Sequence, residues 1–248
     1  MMEPSDAGAA TALVVSKDAL ACQLIIDALR PLAIRPEICE EVFAAARLLD
    51  KQKFEAVVVD LQLGEGAMLV MEQLRFSRSN RTAVTFALAA GDKAQTPGIK
   101  LDSTFVLPRP LSADSINQIL RASYGLVVRE RRRYFRCPLA VPVFVRARQP
   151  EEFLCQTVNI SEGGVAISTR TMPDPALSTA VRFSLPGHSS QLFSETRVRW
   201  SGQEGLVGLE FQSLAAPQKS ELQEWLARKL EETLTEKVAA LFRSVGQL

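Results

Sequence analysis

Five arginines, Arg129, Arg131, Arg132, Arg133 and Arg136, crowd one short stretch of the chain, with Glu130 the one acid among them and no lysine. Guanidinium groups form planar, paired hydrogen bonds to phosphate and to the O6/N7 edge of guanine, and they stack on aromatic planes. Such a cluster points to recognition of phosphate together with a base; the plainer reading is a solvated linker. Downstream lies Asn159-Ile160-Ser161-Glu162-Gly163-Gly164. Asn and Ser side chains can read a base edge, and glycine admits a ligand to the backbone. Taken alone, the same residues make an ordinary turn.

Other chemistries are poorly supplied. The single histidine, His188, sits in the turn-like Pro186-Gly187-His188-Ser189-Ser190 and reads as an exposed loop residue. The four cysteines, Cys22, Cys39, Cys137 and Cys155, are far apart with no C-x-x-C pair, so a structural zinc site is not expected and no metal ligands are assigned. They read as small buried hydrophobes in a reducing compartment. Neither catalytic residues nor a cofactor are expected. Twenty-nine Lys and Arg against 28 Asp and Glu leave a net charge of +1, which argues against a general polyanion-coating protein. Met1-Met2-Glu3-Pro4-Ser5-Asp6 lacks the basic and apolar regions of a signal peptide, and no run of about 18 apolar residues could span a bilayer. The expectation is a soluble cytoplasmic protein.

The elements that must position these residues fall into three parts. Over residues 10–125, short apolar runs such as Ala12-Leu13-Val14-Val15 and Ala56-Val57-Val58-Val59 alternate with helical patterns. The helices are expected over 20–29, 42–49, 68–75 and, capped by Ser112, to residue 120. This predicts a doubly wound, flavodoxin-like α/β domain. Residues 126–214 turn to short strands, expected at 141–145, 156–159, 165–168, 181–185, 195–200 and 206–211, with Gly and Pro between several of them (Pro173 among these). That spacing predicts a small antiparallel β-barrel. Residues 215–248 predict one long C-terminal α-helix, with Leu222, Trp225, Leu226, Leu230, Leu234, Val238, Leu241, Phe242 and Val245 as its apolar stripe. The stripe drifts too much for a strict heptad seam. Packing on a domain and self-association both remain open for it.

Together, Arg132-Arg133-Tyr134-Phe135-Arg136 and Asn159-Ile160-Ser161-Glu162-Gly163-Gly164 resemble the R-x-x-x-R and [D/N]-x-S-x-x-G motifs of the PilZ domain, a barrel that binds the bacterial second messenger cyclic di-GMP. The strand ending Val198-Arg199-Trp200 and the closing Val207-Gly208-Leu209-Glu210-Phe211 are similar to that family as well. The resemblance implies that Arg132 and Arg136 hold phosphates and guanine edges, that Asn159 and Ser161 bond a guanine, and that Gly163 and Gly164 allow close approach. It implies further that Arg131 contacts a second, intercalated ligand molecule. Ligand binding would order the arginine segment and reorient the flanking domain.

The first domain resembles a response-regulator receiver. Asp60, closing Val57-Val58-Val59, stands at the phosphoacceptor position and Arg109-Pro110 where that family has Lys-Pro. The expected acidic pair is replaced by Ser16-Lys17, leaving Asp18, and Ala89 or Ala90 replaces the usual Ser/Thr. Phosphoryl transfer to aspartate needs Mg²⁺ held by several oxygen ligands, so the expectation is a receiver-like module that is not phosphorylated, with Asp60 a vestige paired to Lys17 or Arg109. The function expected is a non-enzymatic cyclic di-GMP receptor acting on an unidentified protein partner, with self-association through the C-terminal helix or the receiver-like domain left open. The alternatives are an adaptor whose barrel binds no nucleotide and a nucleic-acid-binding regulator. The latter lacks a helix-turn-helix or aromatic platform.

Overall fold

A computed structural model of the chain describes residues 10–90, 104–146, 152–169 and 179–245. The readings placed on Met1 to Asp6, on Pro173 and on the last three residues lie outside these, as does the side chain of Val245. The chain forms two compact units, Met1–Arg131 with Glu231–Leu248, and Arg132–Leu230.

In the first unit, β1 (Ala10–Val15), β2 (Ile34–Cys39), β3 (Ala56–Asp60), β4 (Val84–Ala90) and β5 (Thr104–Arg109) form a parallel sheet in the order β2-β1-β3-β4-β5. This is the flavodoxin-like order. Strand β3 pairs with β1 and β4, and Val57, Val58 and Val59 are all fully buried, because both faces of a central parallel strand are covered. Helices α1 (Ala19–Leu29), α2 (Val42–Lys51) and α3 (Glu65–Phe76) join the early strands. Asp18 caps α1 by accepting from the backbone N–H groups of Leu20 and Ala21, and the helix gives way to a short turn holding Pro31.

The next helix differs from its expected end. Helix α4 (Ala113–Tyr134) runs through Gly125 and the arginine cluster instead of stopping near residue 120. Gly costs roughly 1 kcal/mol in a helix interior. The buried stripe of Ile116, Leu120, Tyr124, Val127 and Val128 keeps helical spacing across it, and this packing outweighs the local penalty. The arginine segment is therefore helical up to Tyr134.

The second unit contains β6 (Cys137–Pro138), β7 (Pro142–Arg146), β8 (Glu152–Ser161), β9 (Gly164–Ser168), β10 (Thr179–Ser184), β11 (Gln191–Ser201) and β12 (Leu206–Ser213). Six of these close into an antiparallel barrel, β8-β7-β10-β11-β12-β9, sealed by the pairing of β9 with β8, while β6 adds to β8. Val143, Val145, Ile160, Ile167, Phe183 and Leu209 point inward and form its core.

The C-terminal stretch is two helices, α5 (Ala216–Glu232) and α6 (Glu236–Val245), where one was expected. The break falls at Thr233-Leu234-Thr235, and the Thr235 carbonyl accepts from Val238 and Ala239 to start the second helix. The apolar stripe divides accordingly. Leu222, Trp225, Leu226 and Leu230 are buried on α5, and Ala239 and Phe242 on α6. Within the first unit, the Phe242 ring meets Tyr124 edge-on, 6.4 Å between centroids. Among the described residues, no helix is long and apolar enough to cross a membrane.

Candidate functional site

Of the sequence-predicted ligand residues, Arg136, Asn159, Ser161, Gly163 and Gly164 lie at one end of the β6–β8 ladder, with Arg132 in the last turn of α4. Helix α4 ends in a tight turn in which the Phe135 N–H donates to the Arg132 carbonyl (3.3 Å). Phe135 is buried, while Arg132 is half-buried and Arg136 exposed. The chain then lies down on β8, with Cys137 opposite Ile160 and Pro138 opposite Asn159. The Leu139 N–H donates to the Val158 carbonyl (3.0 Å), and the buried Thr157 hydroxyl donates to the Leu139 carbonyl (2.6 Å). Arg136 and Ser161 are the next residues outward at the same end of this ladder.

A bulge aims the polar side chains. Along β8–β9, Thr157 pairs with Ile167 but Asn159 pairs with Ala166, so Val158 is an extra residue on β8. Cys155 and Thr157 point inward before the bulge, and Ile160 points inward after it. Strict alternation would have turned Asn159 into the barrel; the bulge leaves Asn159 and Ser161 on the half-exposed side. Nothing in the residue types of β8 announces this phase change.

The two motif glycines do different work. The hairpin closes with Ser161 opposite Gly164, and the Ser161 hydroxyl donates to the Gly164 carbonyl (3.3 Å). A Cβ on Gly164 would stand 2.2 Å from the Leu209 carbonyl oxygen, so its bareness serves the pairing of β9 with β12. A Cβ on Gly163 would meet nothing within 4 Å, leaving that backbone open to a visitor. On the same turn Glu162 accepts from Gln223 of α5 (3.1 Å).

Arg131 belongs to the first unit. Its side chain is largely buried in the first unit, with Nη1 3.8 Å from Glu55 Oε1. His188 departs from its expected role as an exposed loop residue. It is half-buried, its Nδ1 is 2.6 Å from Glu221 Oε1, and Nε2 is 3.2 Å from Arg228 Nη2. A tautomer protonated at Nδ1 satisfies both contacts. Hydrogen bonds from Ser190 and His188 hold the Glu221 carboxyl below its ordinary range.

The receiver-like cleft is occupied by its own arginine. Arg109 Nη1 donates to Asp18 Oδ2 (2.7 Å) and Nη2 to Asp60 Oδ2 (2.8 Å). Asp60 is 2 % exposed and accepts also from the Ser16 hydroxyl (2.7 Å) and the Gln62 N–H (3.1 Å). Of the two partners proposed for Asp60 it is Arg109 that pairs, while Lys17 is exposed. The hydrogen bond from Arg109, with backbone donors at the start of α1, draws the Asp18 carboxyl below its usual pKa. These residues do not fit Mg²⁺. The ion needs several oxygen ligands, and here a guanidinium already spans both carboxylates. Among the described residues no cluster of three or more His, Cys, Asp or Glu could hold a metal.

Arg136, Asn159 and Ser161, beside the Gly163-Gly164 turn, are residues whose side chains carry groups that bond phosphate and base edges. Residues 130–228 match the PilZ domain. The match supports a cyclic di-GMP-binding receptor family for this unit, and PilZ domains are binding modules, not enzymes. No curated protein matches the chain. Among solved structures, the Bacillus subtilis inhibitor of motility (MotI/DgrA) is similar over 38 % of this chain and 48 % of its own, about half its length, at 23 % identity and a TM-score of 0.32. The PilZ domain of CeSA from a cellulose-synthesizing bacterium aligns over 37 % of this chain and 94 % of its own, at 21 % identity and 0.30. The receiver domain of the Pseudomonas aeruginosa sensor histidine kinase PA1611 aligns over 47 % and 98 %, at 21 % identity and 0.39.

Proposed function

We propose that this chain is a cyclic di-GMP receptor in which the PilZ unit binds the nucleotide and the receiver-like unit takes no phosphoryl group. The observation that carries the reading is the placement of Arg136, Asn159 and Ser161 at one end of the β6–β8 ladder, with Arg132 one turn away. Arg132 and Arg136 hold phosphate oxygens and guanine Hoogsteen edges, and Asn159 and Ser161 bond a base edge beside the open Gly163. The ion pair of Arg131 with Glu55 supports one ligand per chain over an intercalated pair. Ligand occupancy then alters the arrangement of the units and is read by a protein partner. The bridge from Arg109 to Asp18 and Asp60 supports a receiver-like unit that serves as an interaction module.

Calorimetric titration with cyclic di-GMP tests the reading. The wild-type chain should bind at a ratio of one. Arg132→Ala/Arg136→Ala should lose at least about a hundredfold in affinity, since each charge-assisted hydrogen bond contributes roughly 1.5–3 kcal/mol. Equal binding by both proteins, or by neither, overturns it.

A further inference from the structure

Two members of the basic cluster are turned into the first unit. Glu130 is 5 % exposed, and its Oε1 accepts from Lys53 Nζ (2.6 Å) and from the Thr82 hydroxyl. Next to it, Arg131 faces Glu55, 2 % exposed, whose Oε2 accepts from the Thr11 N–H (2.7 Å) and hydroxyl (3.1 Å). Lys53 and Glu55 flank Phe54 on the segment leading into β3. Its backbone is fixed by the Phe54 N–H donating to Asn80 Oδ1 (2.8 Å) and the Glu55 N–H donating to the Thr11 carbonyl (2.9 Å). An acid then a base on the helix thus face a base then an acid on the segment before β3.

Buried ion pairs are poor sources of stability, because desolvation consumes most of the attraction; apolar residues of similar volume often hold as well. What apolar residues do not supply is register. A slip of α4 by one residue would bring Arg131 to Lys53 or Glu130 to Glu55, leaving like charges buried together. The alternating pairs therefore fix the rotation and register of the helix at the residue before Arg132, the first arginine of the ligand motif.

We infer that Lys53 and Glu55, with Thr82, are positioning residues for the nucleotide site, acting through Glu130 and Arg131 on the aim of Arg132. The inference rests on the receptor reading above. It makes affinity depend on a lysine 77 positions before its helix partner in sequence.

Cyclic di-GMP affinity and thermal midpoint, measured on the full chain, test it in three variants. Lys53→Met leaves Glu130 buried without its cation and should lower affinity about tenfold, as expected when a preorganised group is released. Lys53→Arg should restore it to within about threefold. The deciding variant is Lys53→Met/Glu130→Leu. Apolar replacement should keep the midpoint near that of the wild type while affinity still falls about tenfold. The double variant removes one positive and one negative charge that are paired with each other, so the local net charge is unchanged and the loss does not come from weaker attraction of an anionic ligand. Wild-type affinity in the folded double variant overturns the inference alone. Failure of the wild type to bind removes the receptor reading and this inference with it.

Discussion

Arg109→Met severs the guanidinium bridge between Asp18 and Asp60 while keeping an unbranched apolar stem. The Asp60 arm is the costly one. Its carboxylate side chain is 3 % exposed and the arginine 16 %. Two donors, Ser16 and Gln62, would remain on Asp60, so the carboxylate keeps hydrogen bonds but loses its countercharge. Removing one partner of a buried pair destabilises by about 3–5 kcal/mol. At about 1.4 kcal/mol per factor of ten, hydrogen-exchange protection of the β3 and β5 amides should fall by about two to three and a half orders of magnitude. Asp60→Asn added to Arg109→Met removes the uncompensated charge and should recover most of that protection. Beryllofluoride with Mg²⁺ should leave exchange in the wild type unchanged, because the carboxylates are already engaged. A loss below about tenfold in Arg109→Met would mean the pair is effectively solvated, and protection gained on adding beryllofluoride and Mg²⁺ would refute the closed-cleft argument outright.

Among the described residues the buried Tyr124 hydroxyl has no hydrogen-bond partner, and burial pushes its pKa up to about 12, so phenolate absorbance should show one of the two tyrosines ionising only there. Its folded pKa lies above the unfolded value of about 10, so its contribution is intact below pH 10 and is lost as the pH rises towards 12. Tyr124→Phe keeps the ring contact with Phe242 and should raise stability by about 1 kcal/mol in denaturant titration. Gly164→Ala drives a Cβ onto the Leu209 carbonyl and should cost roughly 1–3 kcal/mol, with exchange protection lost along β9 and β12 while Gly163→Ala leaves it intact. The Glu221 carboxyl, depressed by Ser190 and His188, stabilises above the ordinary glutamate range and ceases to do so as the pH falls through its lowered pKa. Glu221→Gln should therefore flatten the acid limb of the unfolding profile seen in the wild type.

Residue type and spacing suffice for some of this molecule. Short apolar runs alternating with amphipathic stretches specify the parallel sheet, because a strand covered on both faces must be apolar throughout, as Val57 to Val59 are. The arginine and Asn-Ser-Gly motifs are legible in the same way as residue types, since guanidinium and carboxamide groups are chemically suited to phosphate and base edges wherever they stand. Tertiary structure decided the rest. Whether α4 stops at Gly125 or continues depends on what covers Val127 and Val128, which local propensity does not contain. The bulge at Val158 turns Asn159 outward because β8 must match β9 one residue short, a constraint set by the partner strand. Gly164 is required by the Leu209 carbonyl, and Arg131 is claimed by Glu55, two contacts made by residues distant in sequence. The sequence by itself determined which side chains carry groups suited to phosphate and base edges. Which of them face a common end of the barrel, and which are held elsewhere, was decided by long-range pairing and burial, because these act between segments whose proximity exists only in the folded chain.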